Sequence, residues 1–324
     1  MRRSVALLAT AGLAGGAVAA KRSLDARVAR WDTNPDHCDG DPLGLPPTEE
    51  IEVVAADGAR LRGHRCGDRS GPTVLLVHGY VESVRFWAPV VRRLVDAGLD
   101  VVVVDQRGHG DSERGDAEFD CETLAGDVRA WVEQLDVRDA VLAGHSMGGV
   151  SAMAFAATHP EVAAERLRSM VLVATLAFPE PLFGLPDVQV DPAKVVRLLE
   201  RVVAVETLGL LFLARVFGTY PTRPALEALR ESLLATDVQT RIDAMRMLRG
   251  FDLRPVLPDV RVPTVVVAGS HDQLTPLAGN EAIADLIPGA RLEVLPGMGH
   301  MLMFESPDAV TDAIVQATKP QDVA

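Results

Sequence analysis

Short apolar runs alternate with helical segments along most of this chain, and this alternation limits the folds that it can adopt. Thr73–Val77 and Val101–Val104 are continuous apolar runs, as in strands that are buried on both faces of a sheet. Between them, apolar residues recur at helical spacing over Ser83–Ala97. Strands that alternate with helices predict parallel βαβ units with right-handed crossovers. We therefore expect an α/β fold in which helices flank a mostly parallel, twisted sheet.

The same alternation predicts further elements on both sides of a central break. An Asp57-Gly58 turn between two extended runs predicts an initial hairpin. The other predicted strands are Ala140–Ala143, Met170–Ala174, Val262–Ala268 and Arg291–Leu295. The other predicted helices of this region are Cys121–Leu135, Met147–Thr158, Leu277–Ile287 and Ser306–Ala317. The core that contains the sheet is therefore expected to consist of residues 51–177 and 260–318.

Residues 178–259 interrupt the alternation. Prolines punctuate this stretch, and helical pieces lie between them at Val195–Val205, Leu208–Phe217 and Leu226–Leu234. We interpret the stretch as a helical cap that is inserted into the core and lies over the sheet. Residues 319–324 are expected to form a flexible tail.

The N-terminal residues 1–30 have the pattern of a signal or membrane-anchor segment. Arg2 and Arg3 precede an apolar run over residues 4–20, and more basic residues follow the run. Two locations fit this pattern equally well. The protein is exported or anchored to a membrane through residues 4–20, or the segment is the helical tail of a cytoplasmic protein. Residues 31–50 contain many Asp, Pro and Gly residues and predict an irregular linker.

Composition argues against several classes of partner and site. The formal net charge of -13 at pH 7 repels phosphate backbones, so nucleic acid is not expected as a partner. Cys38, Cys66 and Cys121 form no Cys-x-x-Cys pair and no cluster with His, so no metal site is expected. Two interpretations of the cysteines remain: one disulfide with one free thiol in an exported protein, or three unpaired cysteines.

The strongest chemical signal is the sequence Gly144-His145-Ser146-Met147-Gly148-Gly149. It lies between a predicted strand and a predicted helix, where a G-x-S-x-G turn forms a nucleophile elbow. The sharp turn requires small flanking residues and lifts the serine Oγ above the sheet. It also places the serine at a helix N-terminus, which favours developing negative charge. Ser146 is therefore the candidate nucleophile.

A second turn, His78-Gly79-Tyr80, follows the predicted strand Thr73–Val77. A turn of this kind at this place predicts an oxyanion-hole loop. The backbone N–H groups of Tyr80 and Met147 are the candidate donors, and each donor in such a site contributes about 3 kcal/mol. The side chain of His78 is expected to have a structural role.

A base and an acid follow the serine in the chain. Asp272 comes after one predicted strand and His300 after the next, so both lie at carboxyl ends of parallel strands, where the sites of open α/β sheets form. A serine hydroxyl becomes nucleophilic when an imidazole takes its proton, and a carboxylate fixes the tautomer of that imidazole. We assign His300 as the base and Asp272 as the acid that orients it, which gives the order Ser…Asp…His.

Other histidine and acidic side chains are weaker candidates. Asp105 ends a strand and is the best alternative acid, but it precedes the serine in the chain. The turn that follows it is expected to be structural, with Arg107 or His109 bridging loops. We expect His271 to have a structural role and His159, at a helix end, to be solvated.

Together the motifs LLVHGY, DQRGHGDS, AGHSMGG, GSHDQLTP and GMGH resemble those of the α/β-hydrolase superfamily over residues 51–318. The branch that they resemble contains bacterial esterases, monoacylglycerol-lipase-like enzymes and cofactor-free haloperoxidases or perhydrolases. The resemblance implies a serine hydrolase that forms an acyl-enzyme without a metal or an organic cofactor. Ser146 stands where haloalkane dehalogenases and epoxide hydrolases have an aspartate, which argues against those activities. HGYVES departs from the pattern of monoacylglycerol lipases, so no glyceride preference is implied.

These features lead to three hypotheses. The first is a hydrolase that cleaves a small or lipid-like carboxylic ester with an apolar or medium-chain acyl group. Leu210, Leu211 and Phe212 are candidates to line its acyl pocket, and packing of the cap onto the core explains them equally well. The second keeps the triad but changes the reaction to perhydrolysis or haloperoxidation, lactone opening or C–C bond cleavage. The third, a non-enzymatic binding protein, is disfavoured because all three triad residues are present.

Overall fold

The computed structural model describes residues 23–38, 40–179 and 190–319. The apolar run over residues 4–20 and the tail beyond Lys319 lie outside these described residues, and so do their predictions. Within the described ranges, no helix is long and apolar enough to cross a membrane.

Eight strands form one sheet in the order β1-β2-β4-β3-β5-β6-β7-β8. The strands are β1 (Glu49–Val54), β2 (Arg60–Gly67), β3 (Thr73–Val77), β4 (Asp100–Val104), β5 (Ala140–His145), β6 (Leu167–Val173), β7 (Thr264–Gly269) and β8 (Arg291–Leu295). β2 is antiparallel to both of its neighbours, and the other pairs are parallel. The prediction of an α/β fold with a mostly parallel sheet is confirmed.

Helices connect most of these strands. From β3 onward, the α-helices in the described part of the chain are α1 (Ala88–Asp96), α2 (Cys121–Gln134), α3 (Met147–Thr158), α4 (Pro160–Arg166), α5 (Pro192–Ala204), α6 (Glu206–Leu213), α7 (Arg223–Ala235), α8 (Val238–Leu248), α9 (Leu277–Leu286), α10 (Leu302–Glu305) and α11 (Pro307–Ala317). The sequence pattern predicts most of them but misses α4, α8 and the short α10. Helix α8 buries Thr240, Arg241 and Asp243 beside its apolar residues, so its apolar periodicity is weak.

Two apolar clusters bury the two faces of the sheet. Leu76, Val103 and Val141 belong to one cluster, and Leu75 and Val102 belong to the other. Because successive side chains of a strand point to opposite faces, a strand that is buried on both faces must be apolar throughout. The continuous apolar runs in the sequence have this cause. Full burial of each such side chain contributes about 1.5–3 kcal/mol to stability.

Helices α5 to α8 follow β6 and precede β7 in the chain. The helices predicted in this stretch overlap α5, α6 and α7. Two side-chain hydrogen bonds join the stretch to the loop that follows β3. Ser232 Oγ of α7 donates to Val81 O at 2.6 Å, and the hydroxyl of Tyr80 donates to Arg241 O of α8 at 3.1 Å. The inserted helices therefore contact the loop that carries Tyr80.

Hydrogen bonds in both directions join the chain before β1 to the rest of the domain. Side chains of the domain donate to carbonyl groups of this segment, and a side chain of the segment donates to a carbonyl group of the domain. Arg92 of α1 donates to the carbonyl oxygens of Cys38 and Gly44. Asn34 Nδ2 donates to Pro221 O, just before α7, at 2.6 Å. The segment is helical up to Thr33, so the prediction of an irregular linker from residue 31 is wrong for its first residues, and the irregular part that follows is fixed in place by these hydrogen bonds.

The three cysteines are unpaired. Cys38 and Cys66 are buried and Cys121 is half-buried, and all three are free thiols. Burial raises the pKa of the Cys38 thiol to about 12 and the pKa values of the other two thiols to about 11. These thiols stay protonated near neutral pH and are poor nucleophiles.

Close packing of α3 against β3 requires glycine at position 148. A Cβ atom there would lie 2.2 Å from Val77 O, far inside van der Waals contact. A Cβ atom at Gly144 would lie 2.3 Å from Gly148 O. By contrast, a Cβ atom at Gly126 in α2 would meet no heavy atom within 4 Å. The turn between β5 and α3 can therefore form only with small residues on both sides of Ser146.

Gly148→Ala is expected to lower the free energy of unfolding by at least about 2 kcal/mol, because the added methyl group meets a backbone oxygen of a central strand. Gly126→Ala is the matched control. It should raise the free energy of unfolding by about 0.5–1 kcal/mol, since Ala is a better helix former than Gly. Urea unfolding measures both values. A Gly148→Ala protein as stable as the parent would show that α3 does not pack on β3 as described.

Candidate active site

Ser146 lies in the turn between β5 and α3 with backbone φ of 51° and ψ of -117°. Non-glycine residues rarely adopt such angles, and the strain costs about 1–3 kcal/mol. Hydrogen bonds on both sides fix the turn. Ser146 N donates to Val173 O at 3.0 Å, and Thr175 Oγ1 donates to Ser146 O at 2.7 Å. The serine therefore stays at the N-terminus of α3, where the helix dipole favours negative charge.

His300 and Asp272 form a hydrogen-bonded pair beyond the carboxyl ends of β8 and β7. The distance between His300 Nδ1 and Asp272 Oδ2 is 2.8 Å. Because an ionised carboxylate only accepts hydrogen bonds, Nδ1 carries the proton, and Nε2 is the basic nitrogen of the neutral ring. The structure thus brings together the acid and the histidine that the sequence analysis assigned to each other.

Asp272 is fixed by groups of its own loop. Thr275 Oγ1 donates to Asp272 Oδ2 at 2.5 Å, and the backbone amides of Leu274 and Thr275 donate to Oδ1 at 2.8 and 2.9 Å. Burial raises the pKa of Asp272, but the charge of His300 and these hydrogen bonds outweigh burial and bring the pKa below its ordinary value. Asp272 is therefore ionised and oriented toward the imidazole.

Several carboxylates act on the basicity of His300. Burial lowers its pKa, but the charge and hydrogen bond of Asp272, with the charges of Glu82 and Glu305, outweigh burial and raise the pKa above its ordinary value. Removal of one of these negative charges is therefore expected to lower the pKa of His300.

The two predicted oxyanion donors lie on neighbouring strand ends. Val77 of β3 pairs with Gly144 of β5, so the loop that carries Tyr80 emerges beside the turn that carries Met147. Within the described residues, neither backbone amide donates a hydrogen bond to another protein group. Both amides can therefore donate to a substrate oxygen, which is the role that the sequence predicts for them.

Glu82 and His145 form a buried pair behind the serine that the sequence analysis missed. Glu82 Oε2 accepts hydrogen bonds from Gly79 N at 2.7 Å and from His145 Nδ1 at 3.0 Å. His145 Nε2 lies 3.0 Å from His300 O. The two ring nitrogens of His145 therefore face two oxygen atoms, one of the Glu82 carboxylate and one of the His300 carbonyl group. The pair therefore links the residue before Ser146 to the backbone of His300.

The ionisation of Glu82 agrees with this geometry. Burial raises the pKa of Glu82, but the charge and hydrogen bond of His145 outweigh burial and bring the pKa below its ordinary value. The rings of His145 and His300 lie with their centroids 4.8 Å apart. No local pattern marks this pair, because its members are 63 residues apart and His145 occupies the variable position of G-x-S-x-G.

A second buried carboxylate shapes the loop that carries His300. Glu305 of α10 accepts hydrogen bonds from the backbone amides of Gly218, Gly299 and Met301. His300 N donates to Val216 O at 2.8 Å, which adds a further tie to the stretch after α6. The position of the imidazole is therefore set by backbone contacts on both sides of it.

The alternative candidates have other partners. Asp105 accepts hydrogen bonds from the backbone amides of Val84 and Asp111, and burial raises its pKa to about 6. Arg107 bridges Asp57 and Asp127, which confirms the predicted structural role of this turn.

In the described part of the chain, the side chains of His78, His159 and His271 form no hydrogen bond with His300 or Asp272. The ring of His78 accepts a hydrogen bond from Gln106 N at 3.0 Å, so His78 is structural. His271 is exposed. The expectation that His159 is solvated is wrong in part, because it is half-buried and its ring lies against Phe155. Among the described residues, no three His, Cys, Asp or Glu side chains are grouped in a way that could hold a metal ion.

The apolar residues predicted to line a pocket differ in exposure. Leu210 is fully buried in the apolar cluster of one sheet face, whereas Leu211 and Phe212 are partly buried against that cluster. Full burial of Leu210 fits the packing alternative. A cavity of about 260 Å³ lies elsewhere, and its lining contains neither Ser146 nor His300. Its lining residues include Leu43, Ser83, Phe86, Ala228 and Ser232.

Comparison with known proteins places the chain in a family. A sequence model described as the alpha/beta hydrolase fold matches residues 72–307, which is more than half of the chain. The protein therefore belongs to the α/β-hydrolase family, as the motifs predict.

Its relatives catalyse different reactions. The chain is 32% identical over 263 residues to a pimeloyl-[acyl-carrier protein] methyl ester esterase of Stenotrophomonas maltophilia, which covers 78% of this chain and 96% of the relative. It is 30% identical over 239 residues to a non-heme chloroperoxidase of Kitasatospora aureofaciens, with 71% and 85% coverage. The enol-lactonase of Burkholderia xenovorans superposes with a TM-score of 0.68 at 28% identity and covers 82% of this chain and 99% of that one.

Glu82→Gln is expected to lower kcat/KM for an activated ester by about tenfold, since a hydrogen bond to a charged group is lost. It should also move the acid limb of the pH profile to lower pH. His300 acts as a base only when neutral, so kcat/KM falls as the pH falls through its pKa. Loss of the negative charge lowers that pKa and shifts the fall to more acidic pH. The pH dependence of kcat/KM measures both effects.

Glu52→Gln serves as the control for this variant, because Glu52 pairs with Arg62 at the partly exposed edge of the sheet. Its profile should equal that of the parent. An acid limb that stays unchanged in Glu82→Gln would mean that Glu82 supports the loop and does not act on His300.

Proposed function

We propose that this protein hydrolyses a carboxylic ester through an acyl-enzyme on Ser146. The observation that supports the proposal most strongly is the hydrogen bond between His300 and Asp272. The ring of His145 contacts the backbone carbonyl group of His300, and His145 directly precedes Ser146, which lies in a strained turn. An oriented imidazole and a serine at a helix N-terminus are what nucleophilic catalysis requires.

The first half of the proposed reaction forms the acyl-enzyme. His300 Nε2 takes the proton of Ser146 Oγ while Oγ attacks the carbonyl carbon of the ester. The backbone amides of Tyr80 and Met147 donate to the oxyanion of the tetrahedral intermediate. The C–O bond to the leaving alcohol then breaks, and the His300 imidazolium gives its proton to that alcohol. Asp272 stabilises the imidazolium throughout.

The second half releases the acid. A water molecule takes the place of the alcohol, loses a proton to His300 Nε2 and attacks the acyl carbon. The second tetrahedral intermediate uses the same two amides, and its collapse returns the proton to Ser146 Oγ. The products are a carboxylic acid and the free enzyme, and no metal or organic cofactor takes part.

The acyl group is proposed to be apolar or of medium length, with helices α5 to α8 as the cap of the site. The hydrogen bonds of Ser232 and Arg241 with the Tyr80 loop support this proposal, because that loop carries a proposed oxyanion donor. Leu211 and Phe212 of α6 are the residues of the predicted set that keep exposed surface and could contact the acyl chain.

The similarity to a methyl ester esterase supports ester hydrolysis, and the similarity to a chloroperoxidase and an enol-lactonase supports a second candidate. In that candidate the acyl-enzyme forms in the same way. In perhydrolysis, hydrogen peroxide then replaces water and the product is a peracid. In lactone opening, the ester is cyclic, so the alcohol stays attached to the acyl group. C–C bond cleavage needs the same triad. The intact pair of His300 and Asp272 argues against a non-enzymatic receptor.

The full-length protein is expected to hydrolyse p-nitrophenyl esters in a series from acetate to palmitate, with an optimum among the short or medium chains. Ser146→Ala should lower kcat by about 10³-fold or more. Ser151→Ala is the matched control, because Ser151 lies in the same helix and its Oγ donates to Gln106. This control should keep the parental rate.

Equal rates in the parent and in Ser146→Ala would show that another group is the nucleophile. Addition of hydrogen peroxide separates the two candidates. Peracid formation that is faster than acid release would favour perhydrolysis over hydrolysis, while an unchanged product would favour the ester hydrolase.

A further inference from the structure

Helix α5 exposes a face of basic and apolar residues, although the protein as a whole is acidic. Lys194, Arg197, Leu198 and Arg201 are spaced so that they share one side of the helix, and all are exposed. Val205, which follows the last residue of the helix, is exposed as well. The opposite side of the helix buries Val196 and Val203. Leu208 of α6 is exposed shortly after Val205. We name these six exposed residues, from Lys194 to Leu208, the α5–α6 face.

The apolar members of the α5–α6 face are strongly exposed. Leu198, Val205 and Leu208 expose 62%, 52% and 45% of their surface. They are three of the eight large apolar residues that are exposed in the described part of the chain. Exposure of large apolar side chains close together is typical of a surface that binds a partner or a membrane.

The α5–α6 face contains three cations, although the chain carries a formal net charge of -13. Lys194, Arg197 and Arg201 form no ion pair with any residue in the described ranges. Glu200, at the side of this face, is paired with Arg241 at 3.5 Å. Glu206 is the exposed carboxylate at the start of α6. Asp191, at the N-cap of α5, is a further exposed carboxylate. The three exposed cations of the face are available to a negatively charged partner.

The N-terminal segment enters the domain beside this face. Asp25 and Thr207 of α6 are joined by a side-chain hydrogen bond of 3.2 Å. Val28 is buried in the same apolar cluster as Val203 and Leu210. The chain that precedes Ser23 carries two basic pairs around the apolar run of residues 4–20. Asp25 therefore contacts α6 beside Leu208, and the apolar run with its flanking basic residues precedes Asp25 in the sequence.

We propose that the α5–α6 face lies on an anionic phospholipid bilayer next to the N-terminal segment. Lysine and arginine bind the anionic headgroups, while Leu198, Val205 and Leu208 enter the interfacial region. A second copy of the chain fits less well, because a symmetric contact would bring unpaired cations together. The proposal does not depend on the reaction at Ser146.

Partition of the full-length protein onto vesicles tests the role of the cations. The triple variant Lys194→Gln, Arg197→Gln, Arg201→Gln should bind phosphatidylglycerol-containing vesicles about 10²-fold more weakly than the parent. Its binding to pure phosphatidylcholine vesicles should be unchanged. The matched control is Arg69→Gln, Arg129→Gln, Arg138→Gln, which removes the same charge from exposed sites elsewhere. The control should bind like the parent.

An environment-sensitive fluorophore reports contact at single positions. Attached through Leu198→Cys, it should shift its emission to the blue when phosphatidylglycerol vesicles are added to the full-length protein. Attached through Val54→Cys, at the exposed edge strand β1, it should not. The unsubstituted chain corrects for labelling of the native thiols, and circular dichroism verifies that each variant is folded.

Three outcomes would overturn the proposal. Equal losses of binding in both triple variants would mean that only net charge matters. A fluorophore at position 198 that stays in water while the protein is bound would mean that the N-terminal segment alone makes contact. A change in oligomeric state of Leu198→Ser without vesicles would identify a second copy of the chain as the partner.

Discussion

Helix α3 packs so closely on β3 that no side chain fits at position 148, and this contact fixes the turn at Ser146. The backbone of the serine is strained, and the strain persists because β5, which leads into the turn, is fully buried. The parallel register of the sheet then determines where the other groups lie. β3 and β5 are neighbours, so the loop with Tyr80 lies beside the turn, and β7 and β8 are neighbours, so Asp272 and His300 meet.

The buried carboxylate of Glu82 and its hydrogen bonds also hold this arrangement in place. A carboxylate that is removed from water costs desolvation energy, and it stays ionised only if its hydrogen bonds are satisfied. Glu82 meets this condition, because it accepts from Gly79 N and from His145 Nδ1, and the second ring nitrogen of His145 faces His300 O. The network thus connects the nucleophile turn with the backbone of the base. It also adds negative charge near His300, which increases the basicity of the imidazole.

Local sequence signals were sufficient to predict the strands and the pairing of Asp272 with His300. Strands that are buried on both faces must be continuously apolar, and a strained turn must be flanked by small residues, so both features are visible in the sequence. Helix α8 was not visible because it buries Thr240, Arg241 and Asp243, which remove the helical period. The pair of Glu82 and His145 was not visible because it depends on the neighbouring positions of β3 and β5 in the sheet, and no local pattern encodes that contact.

The most direct test of the account is covalent labelling of the full-length protein with a fluorophosphonate, followed by mass spectrometry of its peptides. An activated serine attacks the phosphorus atom, fluoride leaves, and the adduct stays on the nucleophile. The account predicts one adduct on Ser146, none in Ser146→Ala, and much slower labelling in His300→Ala, because the base that takes the serine proton is absent. An adduct on another residue, or no reaction in the folded parent protein, would contradict the assignment of Ser146 as the nucleophile.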